Sequence, residues 1–189
     1  MGTLYKTIIM ATTESSRTAE KVVHGKRRGT WIRTTTLILC ALGMMLSAYS
    51  IYVEVLVERL PGYKALCDIS PTMSCSRVFS SRWGKGMGLV EKVLSKDSIF
   101  NQPNGVYGMA VYTFLVIMAF QPEFPASLVQ TVVSFTTNVG SVYLAYILFF
   151  VLRDVCVICI SIYIINFLIF LASLAKLRRS YQAEQKKLK

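Results

Sequence analysis

Apolar residues in this chain fall in long blocks rather than alternating with polar ones. A first block covers roughly 34–56, interrupted only by Glu54 near its end. A second covers roughly 105–120, a third about 126–152 and a fourth about 155–175. A bilayer core needs about 20 apolar residues per helix. It offers the backbone no outside hydrogen-bond partner, so each block must be helical. A buried soluble helix could explain one such block, but not four in one small chain. Gln121-Pro122-Glu123-Phe124-Pro125 separates the second block from the third, and its two prolines stop helix propagation. Only Arg153-Asp154 separates the third from the fourth, so the chain reverses there in a very tight turn. No internal repeat is visible.

Composition agrees with this pattern. Apolar residues make up 53% of the 189 and charged residues 16%, against about 25% charged in ordinary soluble domains. Lys and Arg number 21 against 10 acids, a net charge of +11. Such hydrophobicity excludes a disordered chain. It also argues against a soluble nucleic-acid-binding domain, so the expected surroundings are the lipid bilayer and no nucleic acid. The expected fold is an all-α integral membrane protein, a four-transmembrane-helix bundle. A large lumenal loop or cap, about 57–104, joins helices 1 and 2. Basic tails at 1–33 and 176–189 flank a single membrane domain over 34–175.

Charge orients the bundle. Four spans put both tails on one side. Lys21, Lys26, Arg27, Arg28 and Arg33 in one tail, and Lys176, Arg178, Arg179, Lys186, Lys187 and Lys189 in the other, favour the cytosol. The loop holds seven Lys or Arg, which pull the other way, but over almost fifty residues and diluted by Glu58, Asp68, Glu91 and Asp97. The first 33 residues lack the apolar core of a signal peptide and read as a retained tail. Lys186-Lys187-Leu188-Lys189 matches a dilysine retrieval address of endoplasmic reticulum membrane proteins, or is a plain solvated charge run.

The cysteines bring in chemistry. Cys40 lies inside the first block, where a lone thiol is usually a small hydrophobe. Cys67 and Cys75 lie in the loop, and Cys156 and Cys159 form a C-x-x-C at the start of the fourth block. The orientation puts these four on one membrane face, the oxidising one if the tails are cytosolic. A helix start stabilises a thiolate, and Asp154 is a plausible N-cap there. With about 1.5 Å of rise per residue, Cys159 lies about one turn deeper than Cys156. Such a pair can take electrons from a dithiol and hand them to a lipid-soluble acceptor. A shared zinc site is the alternative, but seven residues between Cys67 and Cys75 are too many and the single His24 is on the wrong side. A structural disulfide in the loop remains open.

Residues 76–97 mix apolar Val78, Phe79, Trp83, Met87, Leu89, Val90, Val93 and Leu94 with basic side chains, as an interfacial segment does. Gly84, Gly86 and Gly88 break it into two short pieces, which either cover the open end of the bundle as a lid or rest on the membrane surface. Asn104 is either an N-cap or a hydrogen-bonding amide at the mouth of an apolar cavity. Tyr163 lies four residues after Cys159 on the same helical face, and its depth points to a ligand or interhelix role.

Several segments resemble the vertebrate vitamin K epoxide reductase family in order and spacing over about residues 35–175. They are Cys67-Asp68, Cys75 to Gly84, Leu89-Val90-Glu91, Asn101-Gln102-Pro103-Asn104, Gly140 to Ala145, and Cys156-Val157-Ile158-Cys159 with Tyr163 and Asn166. The resemblance implies a four-helix bundle of the endoplasmic reticulum membrane, a disulfide-forming reductase of the warfarin-sensitive type. It would reduce vitamin K epoxide to quinone and quinone to hydroquinone, with no bound cofactor and an external dithiol as electron donor. Carried over, Cys159 meets the substrate and Cys156 is its disulfide partner. Cys75 exchanges with Cys156, and Cys67 receives electrons from a lumenal thioredoxin-like thiol protein. Asn104 and Tyr163 hydrogen-bond the two naphthoquinone oxygens, and Phe79 and Trp83 cap the pocket. Ser161 and Ile162 replace two threonines frequent in the family, and Tyr107 stands where phenylalanine is common. A quinone-coupled thiol oxidase and a non-enzymatic four-span scaffold are the competing expectations.

Overall fold

The computed structural model describes the backbone of residues 2–60, 62–70, 73–93 and 98–188, and the side chains of these from Gly29 onward apart from 92–93. The side chains of Lys21, His24, Lys26, Arg27 and Arg28, residues 71–72, much of the second half of the expected lid, and Lys189 lie outside that description.

The first apolar block belongs to α1 (Gly2–Arg59), a single helix continuous through the expected N-terminal tail. The loop that follows holds two short helices, α2 (Cys75–Ser80) and α3 (Val90–Val93). A 3-10 turn over Gly86–Gly88 lies between them. The second block is α4 (Asn104–Phe120). The third is α5 (Phe124–Tyr146), which passes directly into a π-helical stretch over Ile147–Leu152. The fourth is α6 (Val157–Lys187). Among the described residues there are isolated bridges but no strand. Arg153 makes the expected reversal in a left-handed conformation, φ 54°, and the Asp154 amide donates back to the Leu148 carbonyl.

Among the described residues, three segments are long and apolar enough to cross a membrane: Gly29–Arg59, Phe124–Leu152 and Val157–Lys187. Helix α4, with 17 residues, is shorter. Helices α1, α4, α5 and α6 form a ring in which α1 packs on α4 and α6, and α5 on α6 and α4.

Their side chains are distributed as in a membrane protein rather than a soluble one. On α5, Val142 is 71% exposed while Ser134 is 0% exposed. Val132, Phe135 and Val139 share the outer face. Gln130 and Ser127 face inward. In water this arrangement would sacrifice the hydrophobic contribution to folding. In lipid it is favoured, because interhelical contact there rests on small residues, close packing and hydrogen bonds. Gly43, Gly105 and Gly108 provide the close approach of α1 and α4. A Cβ on Gly105 would lie 2.5 Å from Ser50 Oγ, and one on Gly43 would lie 2.4 Å from the Tyr112 ring.

Candidate functional site: thiols beside an apolar cavity

The loop end of the bundle encloses a cavity of about 310 Å3. Its wall includes Cys159, Tyr163, Asn104, Phe79 and Trp83, so five of the eight residues singled out in the sequence meet around one space. Cys67, Cys75 and Cys156 are not in that wall. They lie behind Cys159, on the side of the loop.

Local structure explains the positions of these sulfurs. Cys67 and Cys75 are joined by a disulfide. Cys75 is the first residue of α2, whose N-cap is Ser74; the Ser74 hydroxyl accepts from the Arg77 amide at 3.3 Å. Asp68 gathers this small loop. Its carboxylate accepts from the Ala65 amide (3.1 Å), the Ser74 hydroxyl (3.0 Å) and the Ser76 amide (3.0 Å). Partial burial alone would raise the Asp68 carboxyl. The hydrogen bonds from Ser76, Ser74 and the Ala65 amide outweigh it and hold the group below its ordinary range.

Two long-range contacts bring the loop to the helix. Arg77 of α2 pairs with Asp154 at 2.7 Å, tying α2 to the reversal before α6. Cys75 and Cys156 are both fully buried, and the Cys156 Sγ lies 3.5 Å from the Cys75 Sγ. Asp154, the expected N-cap of α6, does not serve as one. The cap is Cys156 itself, whose sulfur accepts from the Cys159 amide at 3.4 Å. Asp154 lies two residues too early and is committed to Arg77. The two sulfurs of the C-x-x-C thus face different surroundings: Cys156 meets the loop disulfide and Cys159 meets the cavity.

Of the two readings of Asn104, the N-cap does not hold. Pro103 holds the cap position of α4. The Asn104 side chain instead ties down the loop, donating to the Trp83 carbonyl at 2.7 Å and accepting from the Met87 amide at 2.8 Å. This part of the loop takes its shape from Gly86 and Gly88, both at positive φ. A Cβ on Gly88 would sit 2.1 Å from the Trp83 ring. Lys85 closes the same side through an ion pair with Glu58. That hydrogen bond keeps the Lys85 ammonium above its usual range in spite of partial desolvation.

Several contributors were not singled out in the sequence. Glu54 is 3% exposed, lines the cavity, and has one carboxyl oxygen, Oε1, without a hydrogen-bond partner. Its signal was its position, the one charged residue interrupting an apolar block. Asn166, quoted only within a motif, forms part of the cavity wall and links three helices. It accepts from the Tyr112 hydroxyl at 2.8 Å and donates to Ser141 Oγ at 2.9 Å. Ile162 and Tyr107, two departures from the family pattern, also line the cavity. Cys40 is a buried thiol packed in a separate core with Tyr112, Leu115, Ile165 and Ile169. With Cys67 and Cys75 bonded to each other, a four-thiol zinc site has lost half its ligands. Among the described residues no group of three His, Cys, Asp or Glu could hold a metal ion.

Comparison with known proteins gives a consistent result. Residues 34–174 match the model of the Vitamin K epoxide reductase family. The chain is 46% identical over 140 residues to the Mus musculus protein named Vitamin K epoxide reductase complex subunit 1. The Rattus norvegicus protein of the same name is also 46% identical over 140 residues. Each alignment covers 74% of this chain and 87% of the relative.

Proposed function

We propose that this chain, which belongs to the vitamin K epoxide reductase family, reduces vitamin K epoxide to the quinone and the quinone to the hydroquinone. The observation that carries this reading is the 3.5 Å separation of the Cys156 and Cys75 sulfurs, with Cys159 one turn further along α6 at the cavity wall. This order of sulfurs supports a relay from the loop pair to the apolar cavity.

In this scheme Cys159 attacks the substrate ring as a thiolate. Asn104 and Tyr163 donate to the two naphthoquinone oxygens, where negative charge develops. The Asn104 amide keeps one N–H for this after serving the Trp83 carbonyl. Cys156 then attacks the adduct sulfur, closing the 156–159 disulfide and releasing product. Two electrons and two thiol hydrogens leave the protein. With epoxide they yield quinone and water; with quinone they yield hydroquinone. Cys75, reduced through Cys67 by an external dithiol, reopens the 156–159 disulfide by exchange. The arrangement with Cys67–Cys75 bonded and Cys156 and Cys159 free corresponds to the stage after electrons have reached the C-x-x-C. Phe79 and Trp83, held over the cavity, exclude water from the intermediate.

The same reading takes α4 as a fourth span, making four in all. Both termini are then cytosolic, the loop over 57–104 is a lumenal cap in the endoplasmic reticulum, and the donor is a lumenal thioredoxin-like thiol protein. The membrane domain is 34–175, with tails at 1–33 and 176–189.

Purified protein supplied with a small dithiol and epoxide as sole acceptor tests the function. Turnover that a 4-hydroxycoumarin competitor inhibits is expected, and Cys159→Ala should abolish it. Normal epoxide reduction by Cys159→Ala would overturn the scheme. Turnover with quinone but none with epoxide would assign the chain instead to lumenal thiol oxidation.

A further inference from the structure

The opposite end of the bundle holds a second cavity, of about 380 Å3, between α1, the end of α4 and α6. It exists because α4 stops early. Its 17 residues span about 25 Å at 1.5 Å each, and the chain leaves at Gln121-Pro122 while α1 and α6 continue. Three cations border the gap, Arg33 from α1 and Lys176 and Arg179 from α6, and no carboxylate is among its described lining residues.

Lys176 and Arg179 are held by close contacts and Arg33 lies over an aromatic ring, yet no described acid lines the cavity beside them. Lys176 Nζ donates to Gln130 Oε1 at 2.8 Å and to the Met118 carbonyl at 2.5 Å, leaving one N–H. The Arg33 guanidinium lies 5.8 Å from the centroid of the Phe120 ring. Arg179 packs against Gly29 so closely that a Cβ there would be 2.0 Å from its Nη1, and that Nη1 is buried without a hydrogen-bond partner. Burying a charged donor without an acceptor is costly, and three like charges around one space add to the cost. The rim is apolar: Phe120 is 56% exposed, and Trp31 and Ile117 also face outward. Cations, an indole and aliphatic side chains at one level mark the boundary between headgroups and acyl chains.

We propose that this cavity binds the phosphate of an anionic membrane phospholipid, with its acyl chains lying along the exposed face of α4. A phosphate supplies the several acceptor oxygens that the guanidinium and ammonium groups lack. Basic pockets between membrane helices suit such headgroups. The assignment uses none of the thiols and stands apart from the proposed reaction.

The test is thermal unfolding of the full chain in neutral detergent, titrated with four probes: dioctanoyl phosphatidate, dioctanoyl phosphatidylcholine, dioctanoylglycerol and inorganic phosphate. Phosphatidate should raise Tm saturably, with apparent affinity about tenfold above the zwitterionic lipid. Dioctanoylglycerol and inorganic phosphate should give no shift at the same concentrations. Arg179→Gln should weaken the phosphatidate effect about tenfold, and Arg179→Lys by less. If Arg179→Gln does not fold, Arg33→Gln should show the same weakening. An equal saturable response to inorganic phosphate would make the occupant a free anion and overturn the lipid assignment. Equal responses to phosphatidate and dioctanoylglycerol, or wild-type phosphatidate affinity in the folded Arg variants, would overturn the site altogether.

Discussion

The loop-end cavity and the polar seam between α5 and α6 use similar residues for different ends. In the seam, Gln130 donates to Ser173 Oγ at 3.1 Å and accepts from Lys176. Ser134 and Ser173 hydroxyls meet at 3.1 Å, and Thr131 donates to the Ser173 carbonyl at 3.2 Å. The side chains of Gln130, Thr131, Ser134 and Ser173 serve one another there. At the loop end, Glu54, Tyr163 and Cys159 border open space, and Glu54 Oε1 has no hydrogen-bond partner. Polarity that is internally satisfied joins helices; polarity facing a void is available to a ligand. The difference follows from packing, because the bundle carries buried serines at both ends.

Four experiments would break or sharpen this contrast. The largest effect should come from replacing Cys67 and Cys75 together by Ser. Turnover driven by a protein dithiol should fall about a hundredfold or more, while a small dithiol able to reach Cys156 directly should still support it. Equal loss with both donors would mean that the loop pair is structural. Next is Gly88→Ala, which meets the Trp83 ring at a positive φ. It should displace the Trp83 segment, raise KM about tenfold and lower Tm by a few degrees; an unaltered KM would detach this segment from the cavity.

A smaller effect is expected in the seam. Ser173→Ala should cost about 1 kcal/mol in unfolding measurements and leave turnover per folded molecule intact. A loss of activity larger than the loss of stability would show that the two ends are coupled. The smallest effect concerns pH. The Asp68 carboxyl is held below its ordinary value of 3.8, so its contribution to stability is fully present above that value and declines as pH falls through the lower folded-state pKa. Tm should therefore carry no Asp68 contribution to its pH dependence between pH 7 and 5. Below 3.8 the wild type should lose stability more steeply than Asp68→Asn; identical acid limbs would remove Asp68 as the organiser of the disulfide loop.

Local sequence made much of this legible. Apolar blocks gave the long helices, Arg153-Asp154 gave the reversal, and the C-x-x-C at a helix start distinguished a sulfur facing the loop from one further in. What it missed depends on distant partners. Asp154 looks like a cap until Arg77, 77 residues away, is placed beside it. Asn104 looks like a cap until the lid carbonyl of Trp83 and the amide of Met87 arrive at its side chain. Asp68 read as diluting charge; its three donors are near in sequence, but they converge on it only once the loop folds back on itself. The apolar helices were legible as blocks, but α4 stops at 17 residues because Gln121-Pro122 ends it, and the cavity beneath that end follows from the stop.

The sulfur of Cys156 is also the anchor that begins α6, since it receives the Cys159 amide. A sulfur bonded to a second sulfur is a poorer acceptor than a thiolate, so oxidation loosens the knot that starts the helix. Amide hydrogen exchange at Cys159 should accordingly run faster in the oxidised protein than in the reduced one. Equal rates would show that the opening turn does not register the oxidation of its own first sulfur.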